Sequence, residues 1–209
     1  MIFKKPNFIA DNTEDAKNSL NSIKEKYKFF SLSEADIIVV LGGDGFMLDI
    51  LKKYQNLNLP FYGINQGTVG FLMNQMQEGD LLNKLNEAEE TVIHPLKMHA
   101  MKLDGTVEHY LAVNEISILR SGSQAAKLKI IVDDLVRLEE LVCDGALVST
   151  PAGSTAYNYS AHGPILPIES NILALTAMAA FRPRRWRGAL IPSKAKIEIL
   201  IKEPHKRQV

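Results

Sequence analysis

Cysteine is nearly absent from this chain, and that scarcity excludes two kinds of structure. Cys143 is the only cysteine among 209 residues. A single thiol cannot form an intrachain disulfide, and it cannot build a zinc site from several thiolates. The composition is typical of a protein from a reducing compartment, so we expect a cytoplasmic location.

An excess of charge and long apolar runs are also missing. Lysine and arginine together number 24, as do aspartate and glutamate, so the formal net charge at pH 7 is zero. No global field would therefore attract nucleic acid or an anionic membrane. The start, MIFKKPNF, lacks the apolar core of a signal peptide, and the longest apolar stretch, residues 172–181, is too short to cross a bilayer. We expect neither a nucleic-acid nor a membrane partner.

The pattern of apolar and polar residues changes near residue 92. Before it, apolar strands alternate with amphipathic helices, which predicts a doubly wound parallel α/β domain over residues 1–92. The predicted elements are strands at 7–10, 36–41 and 60–64, a helix through Ala16 and Tyr27 capped by Asn12 or Thr13, and helices at about 46–54 and 79–90. Residues 93–209 contain short alternating strands and the hairpin signal Asp104-Gly105, which predict an antiparallel β-sandwich domain. The fold class is therefore α/β plus β.

The motif GGDG at residues 42–45 follows the apolar strand IIVVL directly. Ligands of parallel sheets bind at the carboxyl ends of strands, where this motif and the loop 63–70 would lie. The amides of Gly42, Gly43 and Gly45 could face phosphates at a helix start. Asp44 would hold a divalent cation or take a proton from an attacking hydroxyl. The alternative is an ordinary strand-to-helix turn with a capping aspartate.

The pair Asn114-Glu115 interrupts the apolar strand pattern LAVNEISIL. At least one of the two side chains should point inward, where it needs hydrogen-bond partners that a ligand would supply. The alternative is a pair at a hairpin edge that faces solvent.

Residues 143–167, CDGALVSTPAGSTAYNYSAHGPILP, open from a strand into a long run of small and hydroxylated residues. Ser154 and Thr155 would cap a short helix whose amides face a ligand. Loops of this length usually carry a function, and a turn-rich loop without one is the alternative.

Taken together, these segments resemble the bacterial NAD kinases. Three motifs agree in order, and the similarity covers most of the chain: GGDG at 42–45, NE at 114–115 and DGALVSTPAGSTAYNYSAHGPI at 144–165. GGDG alone is shared with phosphofructokinases and with diacylglycerol and sphingosine kinases, which lack the third motif. The segment FRPRRWRGALIP at 181–192 further resembles the α-proteobacterial members.

The resemblance implies that the γ-phosphoryl group of ATP, or of polyphosphate in some members, moves to the 2′-hydroxyl of the adenosine ribose of NAD and gives NADP. Mg²⁺ would accompany ATP, and no residue is assigned as its ligand. Asp44 would be the general base on that hydroxyl, so Asp44→Asn should keep the fold and NAD binding but lose turnover. The positions that match the family's NAD contacts are Gly45, Phe71, Asn114, Glu115, Asp144, Thr155, Ala156, Tyr157 and Ser160. From the residues alone, Phe71 could equally belong to the core.

Phosphate-donor contacts are expected from Gly42, Gly43 and the arginine-rich segment. Arg182, Arg184, Arg185 and Arg187 surround Trp186. A guanidinium group binds phosphate through two parallel hydrogen bonds, and no GxxxxGK motif is present, so Arg184 is a candidate. A solvated loop is the alternative.

The resemblance further implies a homodimer or homotetramer in which one subunit completes a neighbour's pocket. Family members usually continue for several tens of residues beyond a segment like KIEILIKEPHKRQV, whereas this sequence stops at Val209. A second hypothesis is therefore a protein that binds NAD or NADP without phosphorylating it. A third is a GGDG kinase with a sugar or lipid acceptor.

Overall fold

The computed structural model describes residues 2–67, 71–75 and 80–209, and the chain divides into two compact units, Met1–Glu90 and Thr91–Val209. The sequence predicted a boundary at 92/93 and a role for each domain, and those roles stay predictions. Residues 68–70 of the predicted loop and the predicted start of a helix at Gly79 lie outside the described residues.

The first unit contains a three-stranded parallel sheet. Its elements are β1 (Pro6–Ala10), α1 (Glu14–Lys26), β2 (Ile37–Gly42), α2 (Asp44–Tyr54), a 3-10 turn at Gln55–Leu57, β3 (Phe61–Asn65) and α3 (Leu81–Glu87). Strand β2 lies in the centre and pairs in parallel with β1 and β3. Every residue of β2 is buried, as expected for an apolar strand that helices cover on both sides.

Alternate residues of β2 face two separate cores. Ile37, Val39 and Leu41 pack with α1 and α3, whereas Ile38 and Val40 pack with α2 on the opposite face. The predicted doubly wound α/β architecture of the first unit is confirmed.

Helix α1 begins as its sequence predicts, because the Thr13 side chain accepts the Ala16 N–H at 3.3 Å. Helix α3 is shorter than the predicted 79–90 and has Asp80 as its N-cap residue. Asp80 accepts the Leu82 N–H at 3.1 Å. Such a cap satisfies one of the N–H groups that the helix leaves unpaired at its start.

The second unit is built from antiparallel strands. Its elements are β4 (Leu96–Met101), β5 (Val107–Ala112), β6 (Glu115–Leu119), β7 (Ala126–Val132), β8 (Leu135–Cys143), β9 (Gly145–Ser149), a 3-10 turn at Ala152–Thr155, α4 (Tyr157–Ser160), β10 (Ile172–Met178), β11 (Gly188–Pro192) and β12 (Ile197–Ile201). They form a four-stranded sheet in the order β11-β10-β9-β6, a three-stranded sheet in the order β12-β7-β8, and the hairpin β4-β5. Gly105, with φ +86°, lies in the turn of that hairpin, where the sequence predicted it.

The two larger sheets enclose one apolar core. Residues of β7 alternate between buried and half-buried positions, and the buried ones pack against inward-facing residues of β9 and β10. The predicted antiparallel β-sandwich is therefore confirmed. Cys143 lies in this core, where burial raises the pKa of its thiol to about 11, so the thiol stays protonated and unreactive.

No helix within the described ranges is both long and apolar enough to cross a membrane.

Candidate functional site

The GGDG turn joins β2 to α2 and places Asp44 in the first turn of the helix. Gly43 is the N-cap residue, with φ −106° and ψ 178°. The two oxygens of the Asp44 carboxylate accept the backbone N–H groups of Phe71, at 2.8 Å, and Leu72, at 3.1 Å. A simple capping aspartate would accept an N–H of its own helix. Asp44 instead binds the segment that contains Phe71 and Leu72. The alternative of an ordinary turn with a capping aspartate is therefore wrong for Asp44.

The three glycines of the motif differ in what surrounds them. A Cβ atom added at Gly43 or Gly45 would meet no atom of the described residues within 4 Å, whereas one at Gly42 would lie 2.8 Å from the Phe46 ring. Packing within the described chain therefore explains glycine at position 42 and does not explain it at positions 43 and 45. Open space above a backbone turn suits the close approach of a phosphate or nucleotide.

Phe71 is not a core residue, because 69% of its surface is exposed. Its backbone N–H donates to Asp44, so the exposed ring is carried by a segment that this carboxylate holds. Of the two alternatives for Phe71, the structure favours an aromatic ring that is available to a ligand.

Two buried oxygen atoms lie at the start of β6. Within the described chain, Asn114 Oδ1 and Glu115 Oε2 are inaccessible to solvent and have no hydrogen-bond partner. Burial raises the pKa of the Glu115 carboxyl. The strand pattern predicted that one of the two adjacent side chains would point inward. In the structure both have a buried oxygen, since Asn114 precedes β6 and the alternation of side chains along a strand does not apply to it.

A buried oxygen without a partner costs about 1–3 kcal/mol, so two adjacent ones need an explanation. A ligand that donates hydrogen bonds to both atoms would supply it. The alternative of a hairpin edge that faces solvent is wrong for these two oxygens.

The third motif is docked onto the segment that precedes β6. The Thr150 hydroxyl donates to the Val113 carbonyl at 2.6 Å and accepts the Gly153 N–H at 3.0 Å. The Thr150 N–H donates to the Asn114 carbonyl at 2.9 Å. A Cβ atom on Gly153 would lie 2.1 Å from that same carbonyl oxygen, so the two backbones touch.

The predicted capping role of Ser154 and Thr155 is wrong. Pro151 precedes the 3-10 turn, Ala156 precedes α4, and neither provides a side-chain cap. Ser154 is fully buried instead, where its hydroxyl donates to the Pro151 carbonyl at 2.7 Å and accepts the Leu166 N–H at 3.0 Å. A serine in a loop can cap a helix or bridge two buried backbones, and here the second arrangement satisfies more groups.

Asn158, the buried residue of α4, attaches this helix to the surrounding backbone and to β10. Its amide nitrogen donates to the Ser154 carbonyl at 3.1 Å and to the Pro164 carbonyl at 2.8 Å, while its oxygen accepts the Thr176 hydroxyl at 2.6 Å. These bonds leave Tyr157 and Ser160 on the exposed surface of α4. Sequence reasoning included Asn158 only as part of a polar run and did not separate this supporting residue from the exposed ones.

The predicted NAD contacts of the second unit fall into two groups. In the pairing of β6 with β9, Glu115 lies opposite Ser149 and Leu119 lies opposite Gly145. Asn114 and Glu115 therefore share one end of the strand pair with the turn that contains Thr155, Ala156, Tyr157 and Ser160. Asp144 lies at the other end, five residues before Ser149, or about 16 Å along the strand at about 3.3 Å per residue.

Asp144 is held by Arg120, a residue that sequence reasoning missed. Arg120 Nε lies 2.6 Å from Asp144 Oδ1, and the Arg120 N–H donates to the Asp144 carbonyl at 2.9 Å. Both side chains are partly exposed, so the ion pair orients the carboxylate more than it stabilises the fold. No motif predicts this pair, because it depends on the register of two strands that are distant in sequence.

The arginine-rich segment connects β10 to β11. The Val142 N–H donates to the Arg182 carbonyl at 2.8 Å, and Trp186 packs against the sandwich core. Arg184 is exposed, and no acidic side chain of the described ranges forms an ion pair with Arg182, Arg184, Arg185 or Arg187. The Arg182 guanidinium group lies over the Phe181 ring, 5.7 Å from its centroid, and the donor-phosphate role of Arg184 stays a prediction.

Two family models match the chain. The ATP-NAD kinase N-terminal domain matches residues 5–90, and the ATP-NAD kinase C-terminal domain matches residues 113–209. The chain belongs to the NAD kinase family. Membership in this family of kinases confirms the predicted enzyme class and argues against a sugar or lipid kinase.

Named relatives in this family come from α-proteobacteria, as the segment at 181–192 suggested. The chain is 58% identical over 202 residues to an NAD kinase of Cereibacter sphaeroides, with 97% of this chain and 80% of the relative covered. It is 53% identical to an NAD kinase of Hyphomonas neptunium, with 97% and 79% covered.

Solved NAD kinase structures share the fold. An NAD kinase from Archaeoglobus fulgidus, solved in complex with ATP, is 28% identical, with a TM-score of 0.69 over 95% of this chain and 81% of that chain. Yeast NADH kinase, complexed with NADH, is 19% identical with a TM-score of 0.75 over 98% and 74%, and this likeness concerns the fold alone.

Proposed function

We propose that this NAD kinase transfers the γ-phosphoryl group of ATP to the 2′-hydroxyl of the adenosine ribose of NAD, with Asp44 as the general base. The observation that carries the proposal is the position of Asp44 at the start of α2, next to two glycines with open space. That the Archaeoglobus fulgidus enzyme was solved in complex with ATP supports ATP as the donor, and relatives named NAD kinase support NAD as the acceptor.

A general base must be oriented and must keep a free lone pair. The N–H groups of Phe71 and Leu72 orient the Asp44 carboxylate, one at each oxygen. Each carboxylate oxygen has a second lone pair, so it can still accept the proton of a ribose hydroxyl. A positioned base contributes about 10² to 10⁴ in rate.

In the first unit, the proposed NAD contacts are Gly45 and Phe71. Asn114 Oδ1 and Glu115 Oε2 are buried acceptors that suit the hydroxyl and amino groups of a nucleoside. The exposed ring of Phe71 suits stacking on a base. The remaining proposed contacts are Thr155, Ala156, Tyr157 and Ser160 near α4, and Asp144 beside Arg120.

Mg²⁺ is the proposed metal. Within the described ranges, no group of three His, Cys, Asp or Glu side chains could hold a metal ion. Mg²⁺ usually keeps several waters and is held by one or two carboxylates together with substrate phosphates. No side chain is assigned as its ligand, because Asp44 is assigned as the base. Bound with ATP, the ion would neutralise charge on the transferred phosphoryl group.

Donor phosphates are assigned to Gly42, Gly43 and Arg184. Gly43 has open space around it, while Gly42 is packed against Phe46 and can contribute only backbone groups. The guanidinium group of Arg184 would bind a phosphate through two parallel hydrogen bonds.

We also propose a homodimer or homotetramer in which Asp144 serves the pocket of a neighbouring subunit. The support is its position at the opposite end of β9 from the turn beside Asn114. The cytoplasmic location and the lack of nucleic-acid and membrane partners stay predictions from composition.

A coupled assay of NADP formation from NAD, ATP and Mg²⁺ tests the proposal, with Asp44→Asn measured in parallel. Turnover by the parent protein that the substitution removes would support both the reaction and the base. Binding of NAD without any turnover would support the alternative of a protein that only binds the dinucleotide.

A further inference from the structure

Thr150 is a buried polar residue at the junction of the third motif and the segment that precedes β6. Only 1% of its surface is exposed. Its hydroxyl donates to the Val113 carbonyl at 2.6 Å, with the Asn114 carbonyl a second acceptor at 3.1 Å. The same hydroxyl accepts the Gly153 N–H at 3.0 Å. One side chain therefore joins two backbones that are distant in sequence.

The strand ladder does not fix this segment by itself. Residues of β6 pair with β9 from Glu115 onward, where Glu115 lies opposite Ser149. Val113 and Asn114 lie between the last pair of β5, Ala112 with Leu96, and the first pair of β6, so neither ladder pairs them. Their shorter bonds to the segment after β9 come from the backbone and hydroxyl of Thr150, while the Ser149 hydroxyl approaches the Asn114 carbonyl only at 3.4 Å. Gly153 is close enough to limit movement on the other side.

We propose that Thr150 is a positioning residue for NAD: its hydroxyl fixes the backbone that aims Asn114 Oδ1. The inference rests on the proposed NAD site, of which that oxygen is part. Without the hydroxyl, the partly buried Val113 carbonyl and the buried Gly153 N–H lose their partner, and the segment must shift to regain one. A shift of the backbone moves Asn114 Oδ1 away from the ligand, although Thr150 itself does not contact NAD.

The test compares Thr150→Val, which keeps the shape and removes the hydroxyl, with Thr150→Ser, which keeps the hydroxyl. We expect Thr150→Val to raise the Kd for NAD, measured by titration calorimetry, about 10-fold, equal to about 1.4 kcal/mol. Thr150→Ser should stay within about threefold of the parent protein. The kcat at saturating NAD should change much less than KM, because the proposed role of Thr150 is in NAD binding and not in proton transfer.

Ser149→Ala is the matched control. Ser149 is also fully buried, but its hydroxyl makes its shorter bond to the Thr150 carbonyl, at 3.0 Å, and approaches the Asn114 carbonyl only at 3.4 Å. Loss of this hydroxyl should lower the unfolding temperature without changing the Kd for NAD. If Thr150→Val does not fold, Thr150→Ala and Thr150→Ser give the same comparison.

Asn114→Ala separates the positioning role from the site assignment. If Asn114→Ala weakens NAD binding while folded Thr150→Val binds as the parent does, the positioning role is wrong and the site stands. If Asn114→Ala binds NAD normally, the site assignment is wrong and the positioning role fails with it. An equal rise in Kd for Ser149→Ala would also overturn the proposal, because a general loss of stability would then explain the effect.

Discussion

Asp44→Asn is the substitution for which the structure adds most to the result expected from the sequence. From the sequence, it should abolish turnover and leave NAD binding intact. In the structure, the carboxylate also accepts the N–H groups of Phe71 and Leu72. Asparagine has one carbonyl oxygen and one NH₂ group, so it can accept only one of these bonds and would present a donor to the other. The exposed Phe71 ring, proposed to pack on NAD, would lose part of its support.

The expected magnitudes follow from these two roles. Loss of a general base lowers kcat about 10² to 10⁴-fold. A hydrogen bond to a charged group contributes about 1.5–3 kcal/mol, and partial exposure of Asp44 places the effect near the lower value. The lost hydrogen bond weakens NAD binding only through the Phe71 ring, so only part of its free energy appears in the Kd. We therefore expect the Kd for NAD to rise about 3- to 10-fold, or about 0.7–1.4 kcal/mol.

The assay measures kcat by coupled NADP formation and the Kd for NAD by titration calorimetry. Asp49→Asn is the matched control, because Asp49 is an exposed acid on the same helix and the substitution removes the same charge. It should leave both quantities unchanged. A kcat for Asp44→Asn within about tenfold of the parent would refute the base assignment. Unchanged NAD binding would refute the supporting role toward Phe71.

Three further predictions concern the described contacts. Arg120→Ala should raise the KM for NAD, because Asp144 loses the partner that orients it, and Arg120→Lys should restore the KM in part. The free energy of unfolding in urea should change by less than about 1 kcal/mol. A larger change would indicate that Arg120 has a structural role. Gly153→Ala should lower the free energy of unfolding by about 3 kcal/mol, because the new Cβ atom would collide with the backbone of Asn114. Gly43→Ala has open space for its Cβ atom, so it should keep the stability of the parent but lose activity. Equal unfolding temperatures of the two variants would contradict this prediction. Burial raises the pKa of Glu115 from 4.5, so this one carboxyl stabilises the fold at low pH, and its contribution is lost as the pH rises through its folded pKa. Between pH 4.5 and 8, the free energy of unfolding of Glu115→Gln relative to the parent should therefore rise in urea experiments, and a constant difference would contradict the prediction.

The sequence was sufficient for the architecture where local patterns determine it. The six buried residues of β2 and the helices on either side follow from an apolar run between amphipathic segments. The antiparallel texture of the second unit followed from alternation, but the pairing of β6 with β9 did not, because register depends on contacts between distant segments.

The candidate site shows the same division between local and long-range information. Asp44, Asn114 and Glu115 could be named because a polar residue in an apolar pattern is chemically conspicuous. Thr150 and Arg120 could not, since their importance comes from partners that only the strand pairing brings near. Ser154 was assigned to the wrong task for that reason too, because its partner Leu166 lies 12 residues away.

The bonds from Asp44 to the backbone of Phe71 and Leu72 have a consequence for enzyme engineering. The proposed catalytic base is also the group that holds the Phe71 segment, so under this proposal neither role can be redesigned without disturbing the other. A library that aims to change the acceptor nucleotide would do better to keep Asp44 and Phe71 and to vary the exposed residues Tyr157, Tyr159 and Ser160. Their scaffold is held by buried Ser154 and Asn158, which allows the exposed side chains around them to be exchanged.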